Sequence, residues 1–360
     1  MLPLRTGVGV VKVIAWYGVD PATSHWGYPL RQRWGLSSHQ EMSPALEDKL
    51  AYFGSMAASY EAAAKLAAKV GIGVADSTIC ALVQRLGAKA EAQTQARLQT
   101  LPQETHPERP ASALAVLMLD GFQVRFRGPG WGQPKTPQPR VEWHEEKLGV
   151  FYRQDQAVRE PRGQLLEKVV LGWQGEGSEL GRRLHWEALR GGLGRAQEVL
   201  AVADGAPWIW NVVSDRWPAA HQLLDFYHAS QHLWSLGQAL HPKEETPRRA
   251  WVEERLHRLR YGKAAEVLAE LAALPRQRGQ RGKVIRREQN YFAEQAVRMN
   301  YQKLARRGWP IASGPVESAC RTRQCRRKRV GQFWTKAGLR HLDALEEARD
   351  HGYWDELWLN

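Results

Sequence analysis

The sequence predicts a mixed α/β protein that joins a helical N-terminal region to a core of strands and helices. Three observations support this prediction. Residues 41–99 carry helical patterning, residues 113–153 contain the apolar and alternating runs typical of strands, and residues 178–240 alternate between helix and strand patterns. The chain has 360 residues, which is enough for two or three domains with a sizeable core.

The N-terminal region, residues 1–100, is predicted to bind DNA through a pair of helices. Residues 59–70 can form one helix, residues 71–73 (Gly-Ile-Gly) break it, and residues 76–86 can form a second. A short glycine-containing turn followed by a polar-started helix is the helix-turn-helix pattern, although two simply packed helices give the same pattern. The candidates to face the DNA groove are Ser77, Thr78 and Gln84.

The predicted core follows a proline-containing linker at residues 101–112. Its first part, residues 113–240, begins with three antiparallel strands and continues with alternating helix and strand. The strands are predicted at residues 113–120, 122–127, 147–153, 169–173, 198–203 and 221–225. This order is the layout of a ribonuclease-H-like fold, an α/β three-layer arrangement.

Two further segments complete the predicted core. Residues 241–300 are helical and charged and form a helical insertion, with a basic loop at residues 276–287. Residues 301–360 form a C-terminal helical part that carries a candidate catalytic glutamate, Glu317.

Three acidic residues are the strongest candidates for chemistry. Asp120 and Asp204 each end an apolar run and are each followed by glycine, while Glu317 directly precedes the most basic stretch of the chain. An acid at the tip of a buried strand is costly unless something pairs with it. Acids from different elements that converge can hold two divalent cations for phosphoryl transfer, and oxygen ligands suit Mg²⁺ or Mn²⁺. We therefore predict that Asp120, Asp204 and Glu317 are both the metal ligands and the catalytic residues.

Basic residues and a second polar group surround these acids in the sequence. Arg321 lies one helical turn after Glu317, where it could hold a phosphate or orient the carboxylate. Asp225 and His228 are predicted to brace the site. His232 follows His228 at a metal-compatible spacing, but no third zinc ligand fits. Five further basic residues are expected to contact the DNA backbone: Arg323, Arg326, Arg327, Lys328 and Arg329. The alternative is that they form only a solvated basic face.

Composition favours a polyanionic partner. The net charge is +13 and the isoelectric point is near 9.8. The three cysteines form no CxxC pair, and neither a signal pattern nor a membrane span is present. We expect double-stranded DNA as the partner and a reduced, cytoplasmic location.

Four stretches resemble bacterial insertion-sequence transposases of the DDE class and, among these, the ISKra4 family. They are residues 118–121 (Met-Leu-Asp-Gly), 203–210, 224–234 and 308–318. The resemblance implies a ribonuclease-H-like core, divalent metal, and cutting and joining of DNA at terminal inverted repeats by a homo-oligomer. It also implies that Asp120, Asp204 and Glu317 are the DDE acids, and that Asp225 and His228 match a D-x-x-H signature. Related proteins often carry a longer N-terminal region, which leaves open whether this copy is active or shortened.

Two other functions fit the same residues. A structure-selective, metal-dependent nuclease would cleave DNA without joining strands. A non-catalytic DNA-binding protein derived from a transposase would keep the fold without the reaction. Inverted repeats in the DNA that flanks the gene would favour transposition.

Overall fold

The chain divides into two compact units, each assembled from separate stretches of sequence. The computed structural model describes residues 1–19, 24, 26–34, 36, 42–158 and 163–359. The first unit contains residues 1–101, 124–144 and 323–360, and the second contains residues 102–123 and 145–322. The domain boundaries expected from the sequence stay a prediction. No helix among the described residues has both the length and the apolar character needed to cross a membrane.

The first unit is mainly helical. Its N-terminal strands are β1 (Leu2–Thr6), β2 (Gly9–Val13), β3 (Gly18–Val19) and β4 (Trp26–Gly27), and both neighbouring pairs are antiparallel. Its helices are α1 (Pro29–Arg33), α2 (Pro44–Met56), α3 (Tyr60–Lys69), α4 (Asp76–Arg97) and, near the C-terminus, α13 (Lys336–Asp350).

The helix pair expected near residues 59–86 is present as α3 and α4, but α4 is longer than predicted. Ser59 starts α3 by accepting a hydrogen bond from the backbone N–H of Ala62. Helix α4 has 22 residues because good helix formers continue to Arg97. At Gly87, an added Cβ would lie 2.1 Å from the backbone oxygen of His341, so only glycine permits this approach of α13 to α4.

A buried ionic cluster joins the end of α12 (Gly314–Arg327) to α13 inside the first unit. Arg327 is 1% exposed and donates to Asp343 at 2.5 Å and to Glu346 at 2.7 Å. Arg323 donates to Asp343 at 3.2 Å. Arg326 donates to the backbone oxygens of Ser55 and Ala57.

This cluster corrects part of the predicted DNA-binding set. The expectation of a solvent-facing basic helix is wrong for Arg323, Arg326 and Arg327, because all three are buried. Their guanidinium groups bond interior carboxylates and carbonyls, which leaves the three side chains no access to a phosphate. We therefore assign them a structural role.

The second unit is built on a five-stranded mixed sheet. Its strands are β5 (Leu114–Arg127), β6 (Val141–Arg153), β9 (Val169–Gln174), β10 (Glu198–Ala203) and β11 (His221–Leu224). The strand order is β11-β10-β5-β6-β9. Strand β10 is parallel to both β5 and β11, whereas β6 and β9 are antiparallel. A separate short pair is formed by β7 (Ala157–Val158) and β8 (Gln164–Leu165).

One predicted strand boundary is wrong. The segments 113–120 and 122–127 were expected as separate strands, but they form the single strand β5, and Asp120 lies inside it. After Gly121 the side chains alternate between the two faces, with Phe122, Val124 and Phe126 buried. This period-2 pattern continues the strand, so the Asp-Gly pair makes no turn here.

Helices cover the sheet and form the rest of the second unit. Those between the strands are α5 (Gly177–Arg190) and α6 (Pro207–Arg216), and they pack on the face that carries Leu117, Leu119 and Ala203. The helices after β11 are α7 (Phe226–Leu240), α8 (Glu245–Arg260), α9 (Ala264–Ala272), α10 (Gly279–Gln295), α11 (Tyr301–Arg306) and α12.

The basic segment 276–287 is largely helical, not the loop that was expected. Helix α10 begins at Gly279 and includes Arg281, Lys283, Arg286 and Arg287. Its buried residues recur every three or four positions, among them Ile285 and Phe292, and this packing outweighs the low helix propensity of its glycines.

The substitution Glu346→Gln tests how much the buried ionic cluster stabilises the fold. Burial opposes ionisation of Glu346, but the charges of Arg327 and Arg323 outweigh it and lower its pKa to about 2. We expect Glu346→Gln to reduce the free energy of unfolding at pH 7 by about 3 kcal/mol, because it leaves a buried arginine underpaired. Urea denaturation measures this change.

The pH dependence has a defined sign. Ionised Glu346 stabilises the fold fully above the unfolded pKa near 4.5, and this contribution is lost as the pH falls toward 2. The difference between wild type and Glu346→Gln should therefore shrink over that interval. The control is Glu61→Gln, which removes an exposed pair with Lys65 and should leave the free energy of unfolding nearly unchanged. Equal costs for the two variants would contradict the structural role.

Candidate functional site

Three aspartates occupy the same level of three adjacent strands in the second unit. The residues that precede Asp120, Asp204 and Asp225 pair directly across β5, β10 and β11. Paired residues of parallel strands point to the same face, and here that face packs on α5 and α6. Because successive residues point to opposite faces, the three aspartates that follow the paired residues point to the other face of the sheet. The sheet thus brings together residues that are far apart in the sequence.

Asp120 is half-buried and both of its carboxylate oxygens accept hydrogen bonds. The backbone N–H of Gly121 donates to Oδ1 at 2.6 Å, and the Cys320 thiol donates to Oδ2 at 3.3 Å. Glu145 lies beside this position, since a Cβ added at Gly121 would be 2.4 Å from its Oε1. Helix α12, which carries Cys320, is therefore in direct contact with Asp120.

Asp204 begins a tight turn between β10 and α6. Its Oδ1 accepts from the backbone N–H of Ala206 at 2.9 Å, and Gly205 has a φ of +97°, which favours glycine. Two side chains of α10 hold this turn from outside. The Tyr291 hydroxyl donates to the Asp204 carbonyl at 2.8 Å, and the Gln295 amide donates to the Gly205 carbonyl at 3.1 Å.

The surroundings of Asp204 disfavour its ionised form. Burial raises its pKa, and the negative charges of Asp120 and Glu145 raise it further, while the Ala206 N–H and His228 act in the opposite direction. Among the residues that the structure describes, no lysine or arginine forms an ion pair with Asp120, Asp204 or Glu317. Asp120 and Asp204 are thus neighbouring carboxylates with no lysine or arginine partner in the described part of the chain, and His228 is the nearby group that can carry positive charge.

Asp225 is completely buried and joins three parts of the chain. Its Oδ1 accepts from the backbone N–H of Ser313 at 2.9 Å, and its Oδ2 accepts from the backbone N–H and the ring Nδ1 of His228 at 2.9 and 2.8 Å. Burial opposes ionisation, but these hydrogen bonds outweigh it and lower the pKa of Asp225. Burial likewise opposes the charged form of His228, but Asp225 and the nearby Asp204 raise its pKa.

Glu317 meets this pair from α12. Ser313, the residue before the helix, donates its hydroxyl to Glu317 Oε1 at 3.0 Å. Potential ligand atoms of Glu317, Asp225 and His228 all lie within 4.8 Å of one another. Arg321 is on the same helix but exposed, and no ion pair with Glu317 occurs within the described part of the chain.

The remaining DNA-binding candidates belong to the first unit and differ in accessibility. Ser77 is exposed and Thr78 is half-buried at the start of α4. Gln84 is engaged by α13, because its amide donates to the Gly338 carbonyl at 3.1 Å and its oxygen lies 3.1 Å from His341 Nδ1. Gln84 thus contributes to the packing of α4 on α13, and its contact with DNA stays a prediction. Lys328 and Arg329 are exposed.

Several site residues had no signal that sequence reasoning could use. Tyr291 and Gln295 act on carbonyls 87 and 90 residues away. Cys320 follows Glu317 by almost one helical turn, a spacing that could have identified it. His232 pairs with the buried Glu288 at 2.5 Å and stacks on Tyr291, so it is absent from the Asp225–His228–Glu317 group.

Comparisons with known proteins give a likeness to solved structures and no match by sequence. No protein-family model matches the sequence, and no curated protein matches it. Among solved structures, the chain is similar to the Drosophila P element transposase strand transfer complex, with 10% sequence identity and a TM-score of 0.28. That alignment covers 87% of this chain and 80% of the other chain.

Asp225 should be essential for the fold around the site. An asparagine offers a single carbonyl oxygen in place of two carboxylate oxygens that together accept three hydrogen bonds. We expect Asp225→Asn to reduce the free energy of unfolding by about 2–3 kcal/mol, measured by urea denaturation. The control is Asp215→Asn on the surface of α6, which should change it by less than about 0.5 kcal/mol. A cost for Asp225→Asn no larger than the control would rule out this anchoring role.

Proposed function

We propose that this protein is a DDE-class transposase of an insertion sequence, similar to the ISKra4 family, which cleaves and joins DNA strands with divalent metal. One observation carries the proposal: Asp120 and Asp204 lie side by side on adjacent parallel strands, and the helix that carries Glu317 contacts Asp120. Its substrates are double-stranded DNA at terminal inverted repeats and at a target, bound by a homo-oligomer.

The sheet topology supports a ribonuclease-H-like core for this reaction. Strands β5, β6 and β9 follow one another and form one side of the sheet. Strands β10 and β11 are added beside β5 in parallel, after crossovers through α5 and α6. The C-terminal ends of β10 and β11 therefore bring Asp204 and Asp225 beside Asp120, which lies within β5.

The residues at this edge fit a divalent metal. Burial and the negative charges of Asp120 and Glu145 raise the pKa of Asp204, and a bound cation would offset this local negative charge. Asp120, Asp204 and Glu317 would hold two Mg²⁺ or Mn²⁺ ions, since these hard cations prefer carboxylate oxygens. When bound, the metal would supply Lewis acidity toward the phosphate and its leaving oxygen.

The protein's own groups orient the site. Asp225 accepts a hydrogen bond from His228 Nδ1, and in the neutral form of the ring Nε2 would be free to accept a proton or bind a metal. Ser313 holds one oxygen of Glu317, and Cys320 holds one oxygen of Asp120. Exposed cations are available to contact phosphates: Arg321 in the second unit, and Lys328 and Arg329 in the first.

Glu317→Gln should abolish strand cleavage and leave DNA binding unchanged, because it removes a carboxylate charge and keeps the side-chain volume. We expect a loss of cleavage of at least about a hundredfold. The assay incubates a plasmid that carries the gene and its native flanks with Mg²⁺ or Mn²⁺, and separates cleaved from joined products. The matched control is Glu294→Gln, an exposed position of α10.

The products of this assay distinguish the three functions. Cleavage at the flanks together with joined products supports the transposase. Cleavage without joining identifies a nuclease, and DNA binding without cleavage in either metal identifies a non-catalytic DNA-binding protein. Undiminished cleavage by Glu317→Gln would show that this residue is not a ligand.

Metal affinity tests the pocket without the reaction. Asp204→Asn should weaken Mn²⁺ binding, measured by calorimetry, at least about tenfold, because it removes a charged oxygen ligand. Asp215→Asn, an exposed aspartate in the next helix, should bind Mn²⁺ as the wild type does. Equal Mn²⁺ affinity in wild type and Asp204→Asn would remove Asp204 from the ligand set.

A further inference from the structure

The first half of α10 and the residues that lead into it carry an exposed basic surface that the candidate site does not use. The segment 271–287 contains six cations and no acidic residue. Arg281 donates to the Leu240 carbonyl, and Arg287 bonds Ser235 and Glu288. The other four, which we call the α10 stripe, are exposed and form no ion pair within the described residues: Arg276, Arg278, Lys283 and Arg286.

The neighbouring helices show that this excess of charge is local. Residues 245–270, in α8 and α9, contain six lysines and arginines and five glutamates. Most of those cations are paired, for example Arg249 with Glu253 at 2.7 Å and Arg258 with Glu270 at 2.6 Å. Helices α8 and α9 therefore nearly balance their charges, whereas the α10 stripe carries only positive charge, and a polyanion would relieve the repulsion between its cations.

We propose that the α10 stripe binds the phosphate backbone of duplex DNA. Residues 278–287 cover roughly 13 Å of helix, which is the axial length of about four phosphates on one strand. The exposed positions of this stretch carry no aromatic side chain for stacking on unpaired bases and no apolar side chain for insertion into a membrane. These features favour a duplex backbone over single-stranded nucleic acid or an anionic bilayer.

The position of α10 gives this contact a consequence for the candidate site. The same helix that carries the stripe holds the Asp204 turn through Tyr291 and Gln295. DNA bound along the first half of α10 is thereby placed in a fixed relation to Asp204. The choice of DNA as the partner rests on the proposed function, whereas the binding surface rests on the charges alone.

The test measures binding in a Glu317→Gln background, so that no cleavage disturbs it. Fluorescence anisotropy with a labelled DNA duplex is recorded from about 50 to 200 mM salt. The test variant replaces Arg276, Arg278, Lys283 and Arg286 with glutamine. The control variant removes the same charge from exposed positions of the same unit: Lys243, Arg249, Lys303 and Arg306. A third variant replaces the three arginines of the stripe with lysine and keeps the charge.

The stripe variant should bind at least about tenfold more weakly near 0.15 M salt, and its slope of log K against log salt should fall by about 3–4. The control and the lysine variant should keep slopes within about 1 of the parent. Equal losses in the stripe and control variants would overturn the proposal, as would tighter binding of an RNA duplex.

Cleavage by the wild type is measured separately. In one outcome the wild type fails to cleave DNA while the stripe variant still shows the reduced slope of log K against log salt. That result would support the DNA-binding surface and contradict the proposed reaction.

Discussion

The buried carboxylate of Asp225 is the interaction on which the candidate site depends. It lies at the end of β11 and bonds the first turn of α7 and the residue before α12. The Asp225 side chain bonds both Ser313 and His228, and a backbone bond from the Phe226 N–H to the Ile311 carbonyl adds a link between the same two segments. Ser313 in turn bonds Glu317, so one desolvated acid fixes the start of the helix that brings a third carboxylate toward Asp120 and Asp204.

Two groups of partly or fully buried acids in this protein have opposite electrostatics. In the first unit, Asp343 and Glu346 are neutralised by buried arginines, and the pKa of Glu346 is lowered accordingly. In the second unit, Asp204 has acidic neighbours and no arginine partner, and its pKa is raised. Burial alone therefore does not identify function. An acid that keeps its charge through internal arginines stabilises the fold, whereas an acid left without a cation is available for one from solution.

The sequence predicted the parts of the site that local patterns encode. Apolar runs that end in Asp-Gly located Asp120 and Asp204, although the continued alternation after Gly121 shows that the first of these runs is not the end of a strand. The basic run after Glu317 gave no sign of burial, because its partners Asp343 and Glu346 lie up to 20 residues further along the chain. Only tertiary packing decides which face of a basic helix meets water, so that part of the prediction could not have been made from spacing.

The helical segment between β11 and α12 is more than a spacer between the acids. Glu317 follows Asp204 by 113 residues, and a simple insertion would leave the Asp204 turn to its own hydrogen bonds. Instead, α10 donates to the carbonyls of Asp204 and Gly205, and the ring of Tyr291 is stacked on His232 of α7. Glu288, also on α10, bonds His232, so the same helix contacts both α7 and the turn that carries Asp204. This helical segment is thus in direct contact with the Asp204 turn. Helix α10 presents cations near its start and supports that turn near its end.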